Sequence, residues 1–223
     1  MKSIRLYLEK NKHLYWLILF IPLQAVFTYS KLTVKPTHVI FSKLDLYIPF
    51  VKEFIIPYVF WYFYVGGSVL FFGIKSKYDY YKLISLLISG EIVALTVYFL
   101  YPQCQKLQPV ITQSDIFSKS IKYLYSIDAP TDVCPSLHVY NSIVVHLCIA
   151  KSLLFENSKT VKNSSLIAMI LICASTVLIK QHSIVDVFWG AVLALVLYLI
   201  VEKIANNISN KAAVQDEKVN AEA

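Results

Sequence analysis

Arginine is nearly missing from this chain: of 21 basic residues, only Arg5 carries a guanidinium. The lysines are scattered over short connections and chain ends, without a basic surface interleaved with aromatics, so nucleic acid is not an expected partner. Charge of any kind is scarce, at 16% of residues, while 57% are hydrophobic. Soluble domains average about 45–50% apolar and about 25% charged, so this chain is too poor in polar side chains to cover its core with a wettable surface. Cysteine is limited to four residues whose spacing fits no metal site. Neither a metal nor a cofactor is therefore implied. A small-residue cleavage pattern is also lacking after the first apolar run, which is expected to remain as a membrane span rather than be removed as a signal peptide.

Long apolar runs are what the chain does contain. Stretches near twenty residues match the thickness of a bilayer core. The expectation is an all-α polytopic membrane protein with six spans, at about 14–30, 54–74, 81–101, 137–154, 164–179 and 184–204. These make one domain over 1–206, followed by a flexible cytoplasmic tail at 207–223. Trp16 and the cluster Trp61, Tyr62 and Tyr64 suit the headgroup level. The segment 31–52, interrupted by Pro36 and Pro49, reads as a partly ordered loop or an interfacial segment. Within the long connection 102–136, Ile116, Phe117, Ile121, Leu124 and Ile127 share one face, with Lys119 and Lys122 left to water. That pattern predicts either a short helix along the membrane interface or simple loop packing. Glu91, near the middle of the third span, cannot face lipid while ionised; it reads as a protonated or internally paired residue, or as a group that handles substrate.

With an even number of spans both chain ends share one side of the membrane. Lys2, Arg5 and Lys10, the 75–82 and 155–163 connections, and Lys203 and Lys211 all fall there, which makes it cytoplasmic by the positive-inside rule. Anionic headgroups account for the net charge of +7. The expected location is the cytoplasmic membrane of a bacterium. Cys104 and Cys134 then share the outer connection, where a disulfide can form. Cys148 and Cys173 sit in apolar segments and read as packing residues.

Two ionisable stretches interrupt the apolar pattern on the outer side: Asp132-Val133-Cys134-Pro135-Ser136-Leu137-His138, and Lys180-Gln181-His182-Ser183-Ile184-Val185-Asp186. In the second, His182 and Asp186 stand four apart and share a helix face, where a carboxylate can fix the tautomer of an imidazole and support its charge. His182 is then a nucleophile toward phosphorus, and His138 is the candidate general acid and base. Backbone N–H groups around Ser136 and Leu137, with the Ser136 hydroxyl, suit an anion at a helix start. Lys180 offers positive charge to phosphoryl oxygens. Asn141, one turn past His138, is a supporting partner, and His146 reads as structural or tuning. Taken singly, His138 is also readable as a capping residue, and His182 with Asp186 as a structural pair or proton path. Their convergence on one membrane face favours catalysis.

The stretch Cys134-Pro135-Ser136-Leu137-His138 resembles the second signature of the type 2 phosphatidic acid phosphatase (PAP2) superfamily, in the Pro-Ser-Leu-His form of its inositol phosphorylceramide synthase-like branch. Lys180 to Asp186 resembles the third signature, in which a His and an Asp four residues on are nucleophile and orienter. Asp45, Ile48-Pro49-Phe50 and Pro57-Tyr58 are also similar to that branch, so the resemblance covers roughly residues 40–200. It implies a six-helix bundle, a metal-independent phosphohistidine route and an outward-facing site. Two positions depart from the family. Gln108-Pro109 stands where the first signature ends in Arg-Pro, and Thr176 stands six residues before His182, where an arginine is common. Lys106 and Lys180 are expected to supply the missing charge, with Gln108 beside the phosphate, although lysine does not reproduce a bidentate fork. The expected activity is hydrolysis of a lipid phosphate or polyprenyl diphosphate, with water as acceptor. The alternatives are phospholipid headgroup transfer to an alcohol, and a lipid-binding or transport protein with little or no turnover.

Overall fold

The computed structural model describes residues 11–222, with side chains as far as 207. Lys2, Arg5 and Lys10, and the side chain of Lys211, therefore lie outside the described residues. Seven α-helices carry the described chain: α1 (Phe20–Thr33), led in by a 3-10 turn at Lys12–Leu19, α2 (Ile55–Lys75), α3 (Lys77–Leu100), α4 (Ile116–Ile127), α5 (Leu137–Lys151), α6 (Lys159–Leu178) and α7 (Ile184–Glu222). Local chemistry sets several starts. Ser76, Asp115, Ser136 and Ser158 each accept a backbone N–H in the first turn of the helix they precede. Pro57 falls in the first turn of α2, where its missing N–H removes no intrahelical bond.

Five segments are long and apolar enough to cross a membrane: Lys12–Thr33, Lys52–Lys75, Lys77–Leu100, Lys159–Leu178 and Ile184–Asn207. The span expected at 137–154 differs. Its helix, α5, stops at Lys151 after 15 residues, about 22 Å of rise against a bilayer core of about 30 Å. Its place in the bundle gives the reason. α5 packs against α2, α3, α6 and α7 and buries Val139, Tyr140, Val144, Val145 and Cys148. An axial helix surrounded by longer ones is covered by protein, so its length is set by packing rather than by lipid. The contact with α3 is close: a Cβ on Gly90 would lie 2.0 Å from the Tyr140 ring, and the Tyr140 hydroxyl donates to the Leu86 carbonyl at 2.6 Å. By contrast, α1 packs chiefly on α3 and lies at the edge.

Other segments differ from expectation in part. The segment 31–52 is ordered: β1 (His38–Val39) pairs in parallel with β2 (Gln103–Cys104), and 3-10 turns follow at Lys43–Leu46 and Lys52–Phe54. Helix α7 runs on to Glu222, through the segment expected as a flexible tail; no proline or glycine follows Gly190 to stop it. The helix expected at Ile116–Ile127 is present, but its apolar face is narrower. Ile121 and Leu124 are buried with Ile55, Tyr58 and Ile179, whereas Ile116 and Ile127, at its two ends, are 70% and 62% exposed. Cys104 and Cys134 are free thiols. The Gln103 amide and a bridge between Cys104 and Thr131 join their loops instead. Glu91 is half-buried on α3 and forms no ion pair with a described residue.

Candidate active site

Both ionisable stretches lie at the same end of the bundle, the end reached by the C-termini of α1, α3 and α6 and the N-termini of α2, α5 and α7. The link from α6 to α7 is a tight turn. The Thr176 carbonyl accepts from Gln181 N and His182 N, each at 3.0 Å, and Lys180 takes the left-handed conformation with φ 58°. A non-glycine residue there costs about 1–2 kcal/mol. Offsetting bonds come from its own side chain: the Lys180 ammonium donates to the carbonyls of Asp45 at 2.9 Å and Ile48 at 2.6 Å. Burial pulls the Lys180 pKa below its ordinary value, with Asp45 opposing. The expected phosphate ligand Lys180 is thus a fastener of the turn, with its charge directed into a neighbouring loop.

His182 and Asp186 meet as the spacing predicts. Nδ1 of His182 lies 3.3 Å from Oδ2 of Asp186, which also accepts from Ser183 N at 2.9 Å. Asp186 is fully buried and His182 is 8% exposed, while Oδ1 of Asp186 has no hydrogen-bond partner among the described residues. His138 joins them, its ring centroid 6.0 Å from that of His182. Two aromatic faces from α2 hold it: Tyr58 stacks at 4.4 Å and Trp61 lies tilted at 4.3 Å. Nε2 of His138, Nε1 of Trp61 and Oδ1 of Asn141 are buried and have no partner among the described residues. Trp61 is six residues inside α2, so His138 is set back from that helix start by about 9 Å of rise.

The remaining expected phosphate ligands divide. Ser136 is buried and its hydroxyl accepts from Val139 N at 3.5 Å, as an N-cap; its own N–H donates to the Asp186 carbonyl at 3.1 Å, which ties the two stretches together. Close approach of α7 to this turn depends on Gly190, where a Cβ would lie 2.7 Å from the Ser136 carbonyl oxygen. Leu137 is half-buried at the first position of α5. Gln108 reaches the site, donating from Nε2 to Oε1 of Gln181 at 2.6 Å. Lys106 is exposed and pairs with no described residue. Thr176 is buried, and its hydroxyl turns back to the Cys173 carbonyl at 2.8 Å, so it takes no part as an arginine substitute.

Several side chains that shape the site escaped the sequence reading. Asp45, resembling the branch in sequence but given no role, is 2% exposed. It accepts from Ser183 Oγ at 2.6 Å, Ile184 N at 2.8 Å and Ser42 N at 2.8 Å, and so caps α7 from 139 residues away. Gln103 brackets the Cys134 peptide, and Gln105 donates to the Lys180 carbonyl at 2.8 Å. With Gln108 they form a row of amides from one connection, each on a motif loop. Their alternation at 103 and 105 in an extended segment was the available signal. Asp128 accepts from Tyr58 Oη at 3.3 Å and Gln181 Nε2 at 3.3 Å, and pairs with Lys31. Burial raises its carboxyl, but Lys31, with His138 and His182, outweighs that and holds it below the ordinary value. Burial and the nearby Asp186 push the Cys134 thiol up to about 12. No grouping of His, Cys, Asp and Glu among the described residues could hold a metal ion.

No family model, curated protein or solved structure matches this chain.

Proposed function

We propose that the protein is a metal-independent lipid phosphatase with a phosphohistidine intermediate, acting at the outer face of the membrane from a six-pass PAP2-like bundle in which α5 is the sixth, shortened pass. The observation that carries this reading is the meeting of two stretches forty residues apart. His182, oriented by Asp186, faces His138, whose buried Nε2 awaits a partner. Asp186 retains the proton on Nδ1, which leaves the Nε2 lone pair of His182 to bond phosphorus. As that N–P bond forms, the P–O bond to the lipid alcohol breaks, and His138, whose charge burial disfavours until the anionic phosphate lies beside it, gives the proton it then carries to the departing oxygen. Water then attacks phosphorus, its proton passes to His138, and the N–P electron pair returns to His182. An alcohol in place of water makes the same machinery a headgroup transferase. Ser136 N and Oγ are already engaged, so oxyanion donors must come from other groups at the start of α5. Proposed substrates are membrane lipids bearing a phosphate or diphosphate.

One observation favours a rival: Lys180 and Thr176 are both turned away from the histidines, as suits a lipid-binding protein with little turnover. Purified protein in detergent, given a panel of phosphorylated lipids with EDTA present, decides between them. Phosphate release or transfer that disappears in His182→Ala supports the enzyme. No turnover across the panel refutes it.

A further inference from the structure

We propose that Lys31, parked on Asp128, is the cation that grips the substrate's phosphoryl oxygens; this rests on the phosphoryl-transfer reading above. A reaction that builds charge on phosphoryl oxygens needs a positive group aimed at them. Of the lysines expected to serve, Lys180 is bonded to the carbonyls of Asp45 and Ile48, and Lys106 is exposed, with no contact that holds it toward the histidines. Lys31, at the end of α1, is linked to the surroundings of the histidines through a carboxylate. Its carboxylate partner Asp128 bonds Tyr58 Oη at 3.3 Å, and the Tyr58 ring stacks on His138 at 4.4 Å. The same carboxylate bonds Gln181, the neighbour of His182.

The pair has the properties of a holding position. Before substrate arrives, Asp128 neutralises Lys31, whose side chain is only 17% exposed, so that no uncompensated charge is buried. A four-carbon stem with a rotating ammonium can transfer from carboxylate to phosphate without movement of the helix. Asp128 is not left bare by that exchange, because Tyr58 and Gln181 continue to donate to it. The Lys31 contact to the Ala129 carbonyl, at 3.4 Å, is at the limit of a hydrogen bond and offers little resistance.

The test uses Lys31→Met, Lys31→Arg and Asp128→Asn in the full chain, with steady-state kinetics on short-chain phosphatidic acid and, separately, orthovanadate binding followed by thermal shift. The expected result is a fall in kcat/KM of about 100-fold in Lys31→Met, substantial recovery in Lys31→Arg, and a lower KM in Asp128→Asn, where the cation is less tightly held. If the ion pair only fastens α1 to the 128–131 loop, Lys31→Met and Asp128→Asn will fall together by similar factors, and the proposal is overturned. Wild-type kinetics or undiminished vanadate binding in Lys31→Met overturns it as well. Vanadate binding that depends on Lys31 in a protein without turnover would remove the phosphatase reading and keep the cation assignment. Wild-type protein that binds no vanadate removes both.

Discussion

The two ends of the bundle treat buried polar groups in opposite ways. At the end away from the histidines, the Lys82 ammonium is closed off by Glu202 and the Tyr198 hydroxyl, Asp79 accepts from Ser152 Oγ at 2.9 Å, and His13 meets the Gly73 carbonyl at 2.8 Å. Among the described residues, the Tyr80 hydroxyl alone is left over there. At the histidine end, Trp61, His138, Asn141 and Asp186 each keep a buried polar atom without a partner among the described residues, and Thr131 adds another in the adjoining loop. An unpaired buried polar group costs about 1–3 kcal/mol, so the histidine end is where a polar ligand or solvent gains most by binding.

The largest test of this contrast is His182→Ala, which should reduce turnover at least about 10⁴-fold while leaving the thermal midpoint close to wild type; substantial residual turnover would equate the two ends. Asp45→Ala comes next. Removing a buried carboxylate that serves three donors should destabilise the protein by about 3–5 kcal/mol, read by thermal unfolding in detergent, with activity lost alongside because the first turn of α7 loses its cap. At the scaffold end, Lys82→Met should cost about 2 kcal/mol, the worth of hydrogen bonds to a charged group, yet leave kcat and KM unchanged; a loss of activity there would show that the ends are coupled. Acid should act on the Lys31–Asp128 tie. Because the Asp128 carboxyl is held below its ordinary 3.8, its stabilisation is complete above that value and disappears as pH falls through the lowered one. An acid-dependent drop in thermal midpoint should therefore be blunted in Asp128→Asn. The smallest effect is chemical: with its thiol pushed up to about 12, Cys134 should resist alkylation by iodoacetamide near neutral pH, as mass spectrometry of the modified protein would read.

Parts of this arrangement were legible because they are local. The i,i+4 spacing of His182 and Asp186 requires only helical geometry, and the amphipathic stretch Ile116–Ile127 carries its own period. The shortening of α5 was not legible, since its apolar composition suits lipid and protein interior equally. Lys180 was misjudged for a related reason: its position beside His182 suggested a phosphate ligand, but a left-handed backbone turned its side chain toward the 42–48 turn. Asp45 and Asp128 stood in connections with no periodic pattern, and a carboxylate's partner more than a hundred residues away leaves no trace in spacing.

By itself the sequence determined an apolar helical chain with two ionisable stretches, because hydrophobic length and side-chain spacing are properties of consecutive residues. Tertiary structure decided which groups those stretches meet: the Asp45 cap on α7, the Tyr58 and Trp61 faces on His138, and Lys31 on Asp128. Those pairings depend on how helices pack and where loops fold back, and a charge or ring acts only on what packing places within a few ångströms of it.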